Sequence, residues 1–189
     1  MKPPVILEHI QLESEALGFQ MVSDPLTGSL LKTLAASKPG GTFLELGTGT
    51  GVSAAWLLDG MDEDSQLISI ENDATVASVA KKYLGHDKRV KFQIEDAAFW
   101  LNQVMNQKFD LIFADAWVGK YSYLEQALGL LKPGGLYVVD DMLPQPNWPS
   151  VDHVSKVNEL VSILENTEDL VMTKINWSSG IVIATKVKR

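Results

Sequence analysis

Two spacings of apolar residues alternate along this chain, one typical of β-strands and one typical of helices. Short apolar runs that end at an acid or a glycine predict strands, and between them apolar residues recur every three or four positions, as in helices. The predicted strands are Thr42–Leu46, Gln66–Glu71, Val90–Ile94, Phe109–Ala114 and 136–139. Because strands that alternate with helices form parallel sheets, the pattern indicates an α/β protein with helices on both faces of its sheet.

Helices are predicted before, between and after these strands. The first, over 5–19, follows from the apolar spacing alone. The second, over 26–36, is preceded by Ser23-Asp24-Pro25, which offers a cap and a proline at the first helical position. The remaining predicted helices are 52–58, Ala74–Leu84, 97–105, 121–131 and 151–164.

The last part of the chain predicts a different arrangement of strands. Two β-rich runs, Leu170–Ile175 and 181–187, flank a turn-like segment, and such a pair forms an antiparallel hairpin. With the hairpin, the sequence predicts a seven-stranded, mostly parallel sheet. We find no internal repeat and no low-complexity tract, so residues 1–189 are expected to form one domain, with N-terminal helices over about 1–38.

Two connections contain too many prolines or glycines for regular structure. Lys132-Pro133-Gly134-Gly135 is predicted to be a turn before the fifth strand. The segment 143–149 holds three prolines around Trp148 and is predicted to be an irregular lid. Trp148 is therefore a candidate for lining an acceptor pocket.

Composition excludes several classes of function. The net charge of −8 and the pI near 4.8 disfavour binding to nucleic acid, because attraction to phosphates supplies most of that affinity. The chain has no cysteine, which excludes disulfides and thiolate catalysis. No segment approaches 18 uninterrupted apolar residues, so we expect no membrane partner and a soluble cytoplasmic protein.

Glycines alternate with threonines where the first strand turns into a helix, in Leu46-Gly47-Thr48-Gly49-Thr50-Gly51. Glycine tolerates positive φ and has no Cβ, so this loop is expected to turn tightly and to bring its backbone N–H groups against a bound carboxylate or phosphate. The spacing matches neither the dinucleotide fingerprint nor the phosphate loop, which requires a lysine after the last glycine.

Acids end the predicted strands. In parallel sheets, ligands bind outside the carboxyl ends of the strands, where the direction of strand order switches. Glu71 ends the second strand, where a carboxylate can accept hydrogen bonds from both hydroxyls of a ribose and would repel a 2′-phosphate. Asp115 follows the fourth strand, and Asp140-Asp141 follow the fifth.

Several motifs together resemble the cation-dependent O-methyltransferases, the family of catechol and caffeoyl-CoA O-methyltransferases and their bacterial relatives. The resemblance runs from about Met21 to the C-terminus. It rests on the segments 21–28, 45–51, Ile70-Glu71, Glu95-Asp96-Ala97, 109–115, 132–135 and Asp140-Asp141. It implies a Rossmann-like methyltransferase fold and the cofactor S-adenosylmethionine.

The resemblance also implies roles for individual residues. Met21, Ser23, Gly47 and Ser53 would contact the methionine part of the cofactor, Glu71 the ribose, and Asp96 and Ala97 the adenine. Other cofactor contacts would come from Glu45 at the end of the first strand, from the loop residues Thr48, Gly49 and Gly51, and from Asp115, which would face both the cofactor and a metal ion. Trp117 is expected either to stack on the adenine or to pack under the lid.

A divalent cation is a further implication. The family holds one with an aspartate after the fourth strand and an Asp-Asn pair after the fifth, which correspond to Asp115 and Asp140-Asp141 here. Carboxylate oxygens suit Mg²⁺, Ca²⁺ or Mn²⁺. The alternative is that one or two of these acids point into solvent or cap the next helix.

The sequence departs from the family at the expected base. The family has a lysine three residues after the first metal-binding aspartate, thought to take the proton from the acceptor hydroxyl, and this chain has Val118 there. Lys120 is the replacement candidate, beside Asp115 as the other catalytic residue, and the alternative for Lys120 is a solvated loop lysine. Of the three histidines, only His153 is placed to reach the site.

The prediction is an S-adenosylmethionine-dependent O-methyltransferase that acts on a hydroxyl of a small, aromatic acceptor with the help of a divalent cation. One alternative drops the metal and accepts an amine or a carboxyl acceptor. Another is a cofactor-binding protein with little catalysis, and a spermidine-synthase-like enzyme is disfavoured because the loop has Thr48 and Thr50 where those enzymes carry an aspartate. A homodimer is expected, because bacterial relatives are commonly dimers.

Overall fold

The computed structural model describes residues 2–104, 106–145 and 152–188. Its helices are α1 (Leu7–Ala16), α2 (Pro25–Ala36), α3 (Val52–Gly60), α4 (Ala74–Leu84), α5 (Ala97–Gln103), α6 (Trp117–Lys120), α7 (Leu124–Gly129) and α8 (Asp152–Asn166). Its strands are β1 (Thr42–Leu46), β2 (Gln66–Glu71), β3 (Val90–Ile94), β4 (Phe109–Ala114), β5 (Leu131–Val139), β6 (Leu170–Ile175) and β7 (Ile181–Lys186).

The seven strands form one sheet in the order β3-β2-β1-β4-β5-β7-β6. The first five of these are parallel to one another, and β7 runs antiparallel to both β5 and β6. The predicted mostly parallel sheet with a C-terminal antiparallel hairpin is therefore confirmed. Strand order reverses between β1 and β4, which places a switch point beside the glycine-rich loop.

Alternate residues of the central strands enter two apolar cores, one on each face of the sheet. On β1, Phe43 packs with Trp56 on the face covered by α1 to α4, whereas Leu44 and Leu46 pack on the opposite face with Trp100. This is the side-chain period of two that a strand imposes. Side chains on both faces of the central strands are buried. These strands therefore lack the alternation of apolar and polar residues that is typical of a strand with one face in solvent.

The largest difference from the predicted elements lies before β5. The helix predicted over 121–131 is only the six residues of α7, since Tyr123 takes a left-handed conformation (φ 56°) just before it. β5 starts at Leu131, five residues earlier than predicted, and the predicted turn 132–135 is a bulge within this strand. β4 pairs Phe109 with Leu131 and then Leu111 with Leu136, so the bulge residues have no counterpart on β4.

Helix ends also differ by a few residues. α1 ends at Ala16 rather than at residue 19, and Gly18 follows with positive φ (69°), as at many helix C-termini. α2 begins as predicted, with Pro25 at the first turn and Asp24 accepting a 2.7 Å hydrogen bond from Leu26 N–H. The predicted end of α5 at Met105 and the part of the predicted lid at 146–149, with Trp148, lie outside the described residues.

Nothing in the described parts of the chain has both the length and the apolar character that a bilayer-crossing helix needs.

Candidate cofactor and acceptor site

The loop between β1 and α3, which we call the Gly loop (47–51), turns through three glycines with positive φ: 99° at Gly47, 54° at Gly49 and 95° at Gly51. Three of its backbone amides donate hydrogen bonds to other groups of the protein. Gly47 N–H and Thr48 N–H both donate to the Ile70 carbonyl at 3.0 Å, and Gly49 N–H donates to Glu71 Oε2 at 2.9 Å. These three amides fasten the loop to the end of β2, and the predicted contact of the loop's N–H groups with a ligand stays a prediction.

Two of these glycines also permit close approach of neighbouring backbone. A Cβ at Gly47 would lie 2.9 Å from the Asp115 carbonyl oxygen, so the glycine lets the loop press against the end of β4. A Cβ at Gly51 would lie 2.8 Å from Ala80 Cβ, on the face of α4 that packs under the loop. Gly51 thus holds the loop in place by packing against α4.

We expect Gly51→Ala to lower the free energy of unfolding by about 2–3 kcal/mol, since alanine is strained at φ 95° and its methyl group would overlap Ala80. Urea unfolding followed by circular dichroism measures this. Gly129→Ala is the matched control, because Gly129 is helical and nothing lies within 4 Å of a Cβ there. Equal stabilities of the two variants would contradict the packing role of Gly51.

Glu71 is held in one orientation by backbone donors. Its Oε2 accepts from Gly49 N–H at 2.9 Å, and its Oε1 accepts from the N–H groups of Asn72 (2.9 Å) and Asp73 (3.1 Å). Three donors fix a carboxylate at the end of β2 while leaving lone pairs for hydroxyl donors. The arrangement agrees with the predicted ribose-binding role, which stays a prediction.

A cavity of about 350 Å³ lies at the carboxyl ends of the strands, beside the Gly loop. This volume falls within the range of small-molecule sites. Eight residues predicted to bind the cofactor line its wall: Met21, Ser23, Gly47, Thr48, Gly49, Ser53, Glu71 and Asp115. The structure thus brings residues from the N-terminal segment, the Gly loop, β2 and β4 to one place.

The other five predicted cofactor residues lie off that wall. They are Glu45 on β1, Gly51 at the end of the Gly loop, Asp96 and Ala97 at the start of α5, and Trp117. The Asp96 carboxylate caps α5, where its Oδ1 accepts from Ala98 N–H at 2.7 Å and from Phe99 N–H at 3.1 Å. Trp117 is 47% exposed.

Glu45 is buried behind the Gly loop in a chain of hydrogen bonds. Ser69 Oγ donates to Glu45 Oε2 at 2.5 Å, and Ser69 Oγ lies 2.5 Å from Thr48 Oγ1. These contacts join β1, β2 and the loop. Burial raises the pKa of Glu45 to about 8, against the hydrogen bond from Ser69, which lowers it.

Sequence analysis did not identify one wall of the cavity. It comes from Phe19 and Val22, on either side of Met21 in the chain. The lining residue Thr50 accepts, at Oγ1, a 2.7 Å hydrogen bond from the buried Ser14 Oγ of α1. A Cβ at Gly49 would touch the Phe19 ring at 3.2 Å. The sequence did offer a signal for this wall, because Phe19 and Val22 lie close to Met21, a predicted cofactor contact. Other lining residues without a predicted role are Thr50, Val52, Asn72, Asp73, Val76 and Ala116.

Asp115, at the end of β4, pairs with Lys120. Lys120 Nζ lies 3.4 Å from Asp115 Oδ1, and Ser23 Oγ donates to Asp115 Oδ2 at 3.3 Å. Lys120 is only 5% exposed, so the alternative of a solvated loop lysine is wrong. Burial raises the pKa of Asp115 to about 7; the Lys120 charge opposes this, and the charges of Asp140 and Asp141 reinforce it.

The two acids after β5 differ in their surroundings. Asp140 is 2% exposed and its Oδ1 accepts from Ser179 Oγ and, at 2.7 Å, from Asp141 N–H. Burial raises the pKa of the Asp140 carboxyl, and the charge of Asp141 raises it further. Asp141 is half-buried and has positive φ (57°). Within residues 2–104, 106–145 and 152–188, no three His, Cys, Asp or Glu side chains are grouped so that they could hold a metal ion.

Three aromatic rings pack together next to the Asp115–Lys120 pair. Trp117, Tyr121 and His153 meet edge to face, with ring centroids 5.1–5.6 Å apart, and Tyr121 Oη lies 2.9 Å from His153 Nε2. Burial, followed by the charge of Asp141, raises the pKa of Tyr121 to about 12. His153 is itself buried, and it packs against Tyr121 at this end of the site.

The strand order, the switch point beside β1 and the Gly loop define the Rossmann-like fold of methyltransferases. Solved structures of this fold superpose closely. An O-methyltransferase from Bacillus cereus in complex with SAH has a TM-score of 0.86 at 22% identity, over 98% of this chain and 92% of that one. The O-methyltransferase TomG from Streptomyces achromogenes, involved in tomaymycin synthesis and in complex with SAM, has a TM-score of 0.85 at 24% identity, over 99% and 92%.

Sequence comparison places the chain in a family. A family profile described as O-methyltransferase matches residues 4–187. A relative from Mycobacterium marinum, itself described as an O-methyltransferase, is 33% identical over 171 residues, which cover 86% of this chain and 76% of the relative. The chain belongs to the O-methyltransferase family.

Proposed function

We propose that this O-methyltransferase transfers a methyl group from S-adenosylmethionine (SAM) to a hydroxyl group of a small aromatic molecule. The observation that supports this most directly is the cavity in which the Gly loop separates Glu71 from Asp115. Because β1 lies between β2 and β4, the two carboxylates flank the loop on opposite sides. One cavity therefore offers an acceptor for ribose hydroxyls on one side and a carboxylate for the reacting groups on the other.

The cofactor is supported by two solved neighbours, one in complex with SAH and the other with SAM. In the proposed complex, Met21, Ser23, Gly47 and Ser53 hold the methionine part, and Glu71 holds the ribose. The adenine contacts of Asp96, Ala97 and Trp117 stay predictions.

The transfer itself is a substitution at the methyl carbon. An oxygen lone pair of the acceptor attacks that carbon, a C–O bond forms, and the C–S bond breaks with its electron pair on sulfur, which leaves S-adenosylhomocysteine (SAH). The hydroxyl proton passes to the Asp115 carboxylate, which lines the cavity and whose pKa of about 7 suits a base at neutral pH. Lys120 acts on this carboxylate through the 3.4 Å contact.

An aromatic acceptor is supported by the rings beside Asp115. Trp117 is half-exposed, and the rings of Tyr121 and His153 lie beside it at interplanar angles of 70° and 60°. Aromatic rings bind other aromatic rings well in edge-to-face or offset contacts. We infer that the acceptor ring packs against Trp117, two residues after Asp115 in the chain.

The described side chains do not fit the divalent cation that the family resemblance implies. Both carboxylate oxygens of Asp115 have donors, Lys120 and Ser23, and one oxygen of Asp140 has two. A divalent ion on Asp115 would have to lie beside a buried ammonium group. We therefore propose a transfer that the chain's own residues carry out.

The test is product analysis. The protein is incubated with SAM and, separately, with catechol, 3,4-dihydroxybenzoate, caffeic acid, aniline and 1,2-dimethoxybenzene, and SAH and methylated products are quantified by mass spectrometry. We expect equal amounts of SAH and methyl ether with at least one phenol, and no product with 1,2-dimethoxybenzene, which lacks a free hydroxyl. Methylation of aniline alone, or SAM binding without any methylation, would contradict the proposal.

Homodimer formation and a cytoplasmic location stay predictions. Three apolar side chains within or next to α1 are exposed and support a self-association surface: Val5 (90%), Leu12 (59%) and Leu17 (46%).

A further inference from the structure

We propose that the Lys120 ammonium is the resident cation of the acid cluster formed by Asp115, Asp140 and Asp141, so that this chain transfers its methyl group without a divalent ion. The inference rests on the proposed O-methyl transfer. It names Lys120 as a positioning and charge-compensating residue that acts through Asp115.

The backbone around Lys120 is shaped to direct this side chain inward. Val118 and Gly119 interrupt α6 with non-helical dihedral angles, and Gly119 has φ 94°. A Cβ at Gly119 would lie 2.5 Å from Leu46 Cδ1, so only glycine allows the chain to press against the end of β1. Tyr137 Oη donates to the Gly119 carbonyl, and Gly119 N–H donates to Ser122 O at 2.7 Å. Three separate contacts therefore fix the turn that precedes Lys120.

The same turn explains why position 118 does not supply the cation. The side chain of Val118 packs on the apolar core that includes Leu46, Tyr137 and Leu160. Lys120, two residues later, is the side chain that reaches Asp115. Where the family resemblance implies a lysine, this chain has Val118, which packs on the apolar core. The positive charge beside Asp115 comes instead from Lys120, at the end of α6.

Charge compensation follows from burial. A lysine that is 5% exposed requires a nearby negative charge, because an unpaired buried ammonium costs several kcal/mol or more. Asp115 supplies that charge at 3.4 Å, and the Lys120 charge also favours the ionised form of Asp140. The acid cluster in turn needs a cation, because its like charges repel. The Lys120 ammonium therefore finds its negative charge in Asp115 and reduces the repulsion among the acids.

A divalent ion at this place would compete with the lysine. It would share the oxygens of Asp115 with the donors Lys120 and Ser23, and would therefore lie close to the Lys120 ammonium. Two cations on one carboxylate repel each other, and Lys120 could move away only if the turn at Gly119 opened. The protein without metal is therefore the self-consistent state of the site.

The first measurement is metal binding by the full-length protein, which needs no acceptor. The free Mn²⁺ signal in electron paramagnetic resonance is recorded with an equimolar amount of protein, with and without SAH. We expect no loss of free Mn²⁺ for the wild-type chain. Stoichiometric capture of Mn²⁺ would overturn the proposal.

The second measurement is turnover with the most active phenol of the panel, in EDTA and then in excess Mg²⁺. We expect wild-type turnover to agree within about twofold between the two conditions, and Lys120→Met to lose about tenfold or more in EDTA. Mg²⁺ should restore part of the Lys120→Met activity, a response that a purely structural role would not produce. Lys174→Met is the matched control, because it removes another lysine from an ion pair, Lys174–Glu165 at 2.7 Å on the surface.

One further measurement keeps the outcomes distinct. SAH affinity by calorimetry shows whether Lys120→Met is folded, and we expect it to agree with the wild type within about threefold. A wild-type enzyme that loses its activity in EDTA, or a Lys120→Met variant as active as the wild type in EDTA, would overturn the role of Lys120. Absence of methylation with every phenol would instead overturn the proposed function, and the Mn²⁺ measurement would still decide which cation the cluster holds.

Discussion

Glu71→Ala should remove most of the chain's affinity for SAM and SAH. The substitution deletes an acceptor that three backbone amides hold at the end of β2 and that faces the cavity. Hydrogen bonds to a charged group contribute about 1.5–3 kcal/mol each, so the loss of two ribose contacts corresponds to roughly a 100-fold weaker Kd or more. Glu71→Gln, which keeps one oxygen acceptor, should lie between the wild type and Glu71→Ala.

Isothermal titration calorimetry with SAH measures this effect directly. Glu159→Gln is the matched control, since it removes the same charge from the exposed side of α8. Circular dichroism spectra of the variants establish that the sheet is intact. Unchanged SAH affinity in a folded Glu71→Ala protein would mean that the ribose is bound elsewhere, and the assignment of the cavity would have to be abandoned.

Glu45→Gln should make the protein more stable at alkaline pH relative to the wild type. Glu45 is completely buried, and burial raises the pKa of this carboxyl to about 8 from its ordinary value of 4.5. The folded state therefore binds the proton more tightly than the unfolded state does. Wild-type stability from this group is fully present below pH 4.5, is lost as the pH rises towards 8, and is constant above it.

Glutamine is neutral at every pH, so the variant lacks this loss. The difference in unfolding free energy between Glu45→Gln and the wild type should grow by about 4 kcal/mol between pH 5 and pH 9, because most of the interval from pKa 4.5 to about 8 lies in this range and each pH unit within it costs about 1.36 kcal/mol. The absolute offset at pH 5 reports how well the glutamine amide fits beside Ser69.

Urea unfolding at pH 5, 7 and 9 supplies these free energies. Glu168→Gln is the control on the protein surface, where the same comparison should stay nearly constant with pH. A flat difference for Glu45→Gln would mean that Glu45 stays ionised in the fold, and that its hydrogen bonds outweigh burial.

The sequence determined the features of this protein that are encoded by neighbouring residues. Apolar runs of five or six residues predicted five of the strands with their observed bounds, because the spacing of apolar side chains is a local property. The same holds for the cap of α2 at Asp24-Pro25 and for the Gly loop, whose glycines all have the positive φ that their spacing indicates. Acids at strand ends could be placed near one another because parallel strands end at the same edge of the sheet.

The tertiary structure alone decided which groups in the site face a ligand and which face the protein. Ser23 and Asp115 are 92 residues apart in sequence and hydrogen-bonded in the fold. The amides of the Gly loop turn to Ile70 and Glu71, and Lys120 is buried against Asp115 although a lysine near a loop is usually solvated. Such contacts depend on how helices and loops pack across the sheet, and packing is a sum of many weak long-range interactions that no local spacing of residues records.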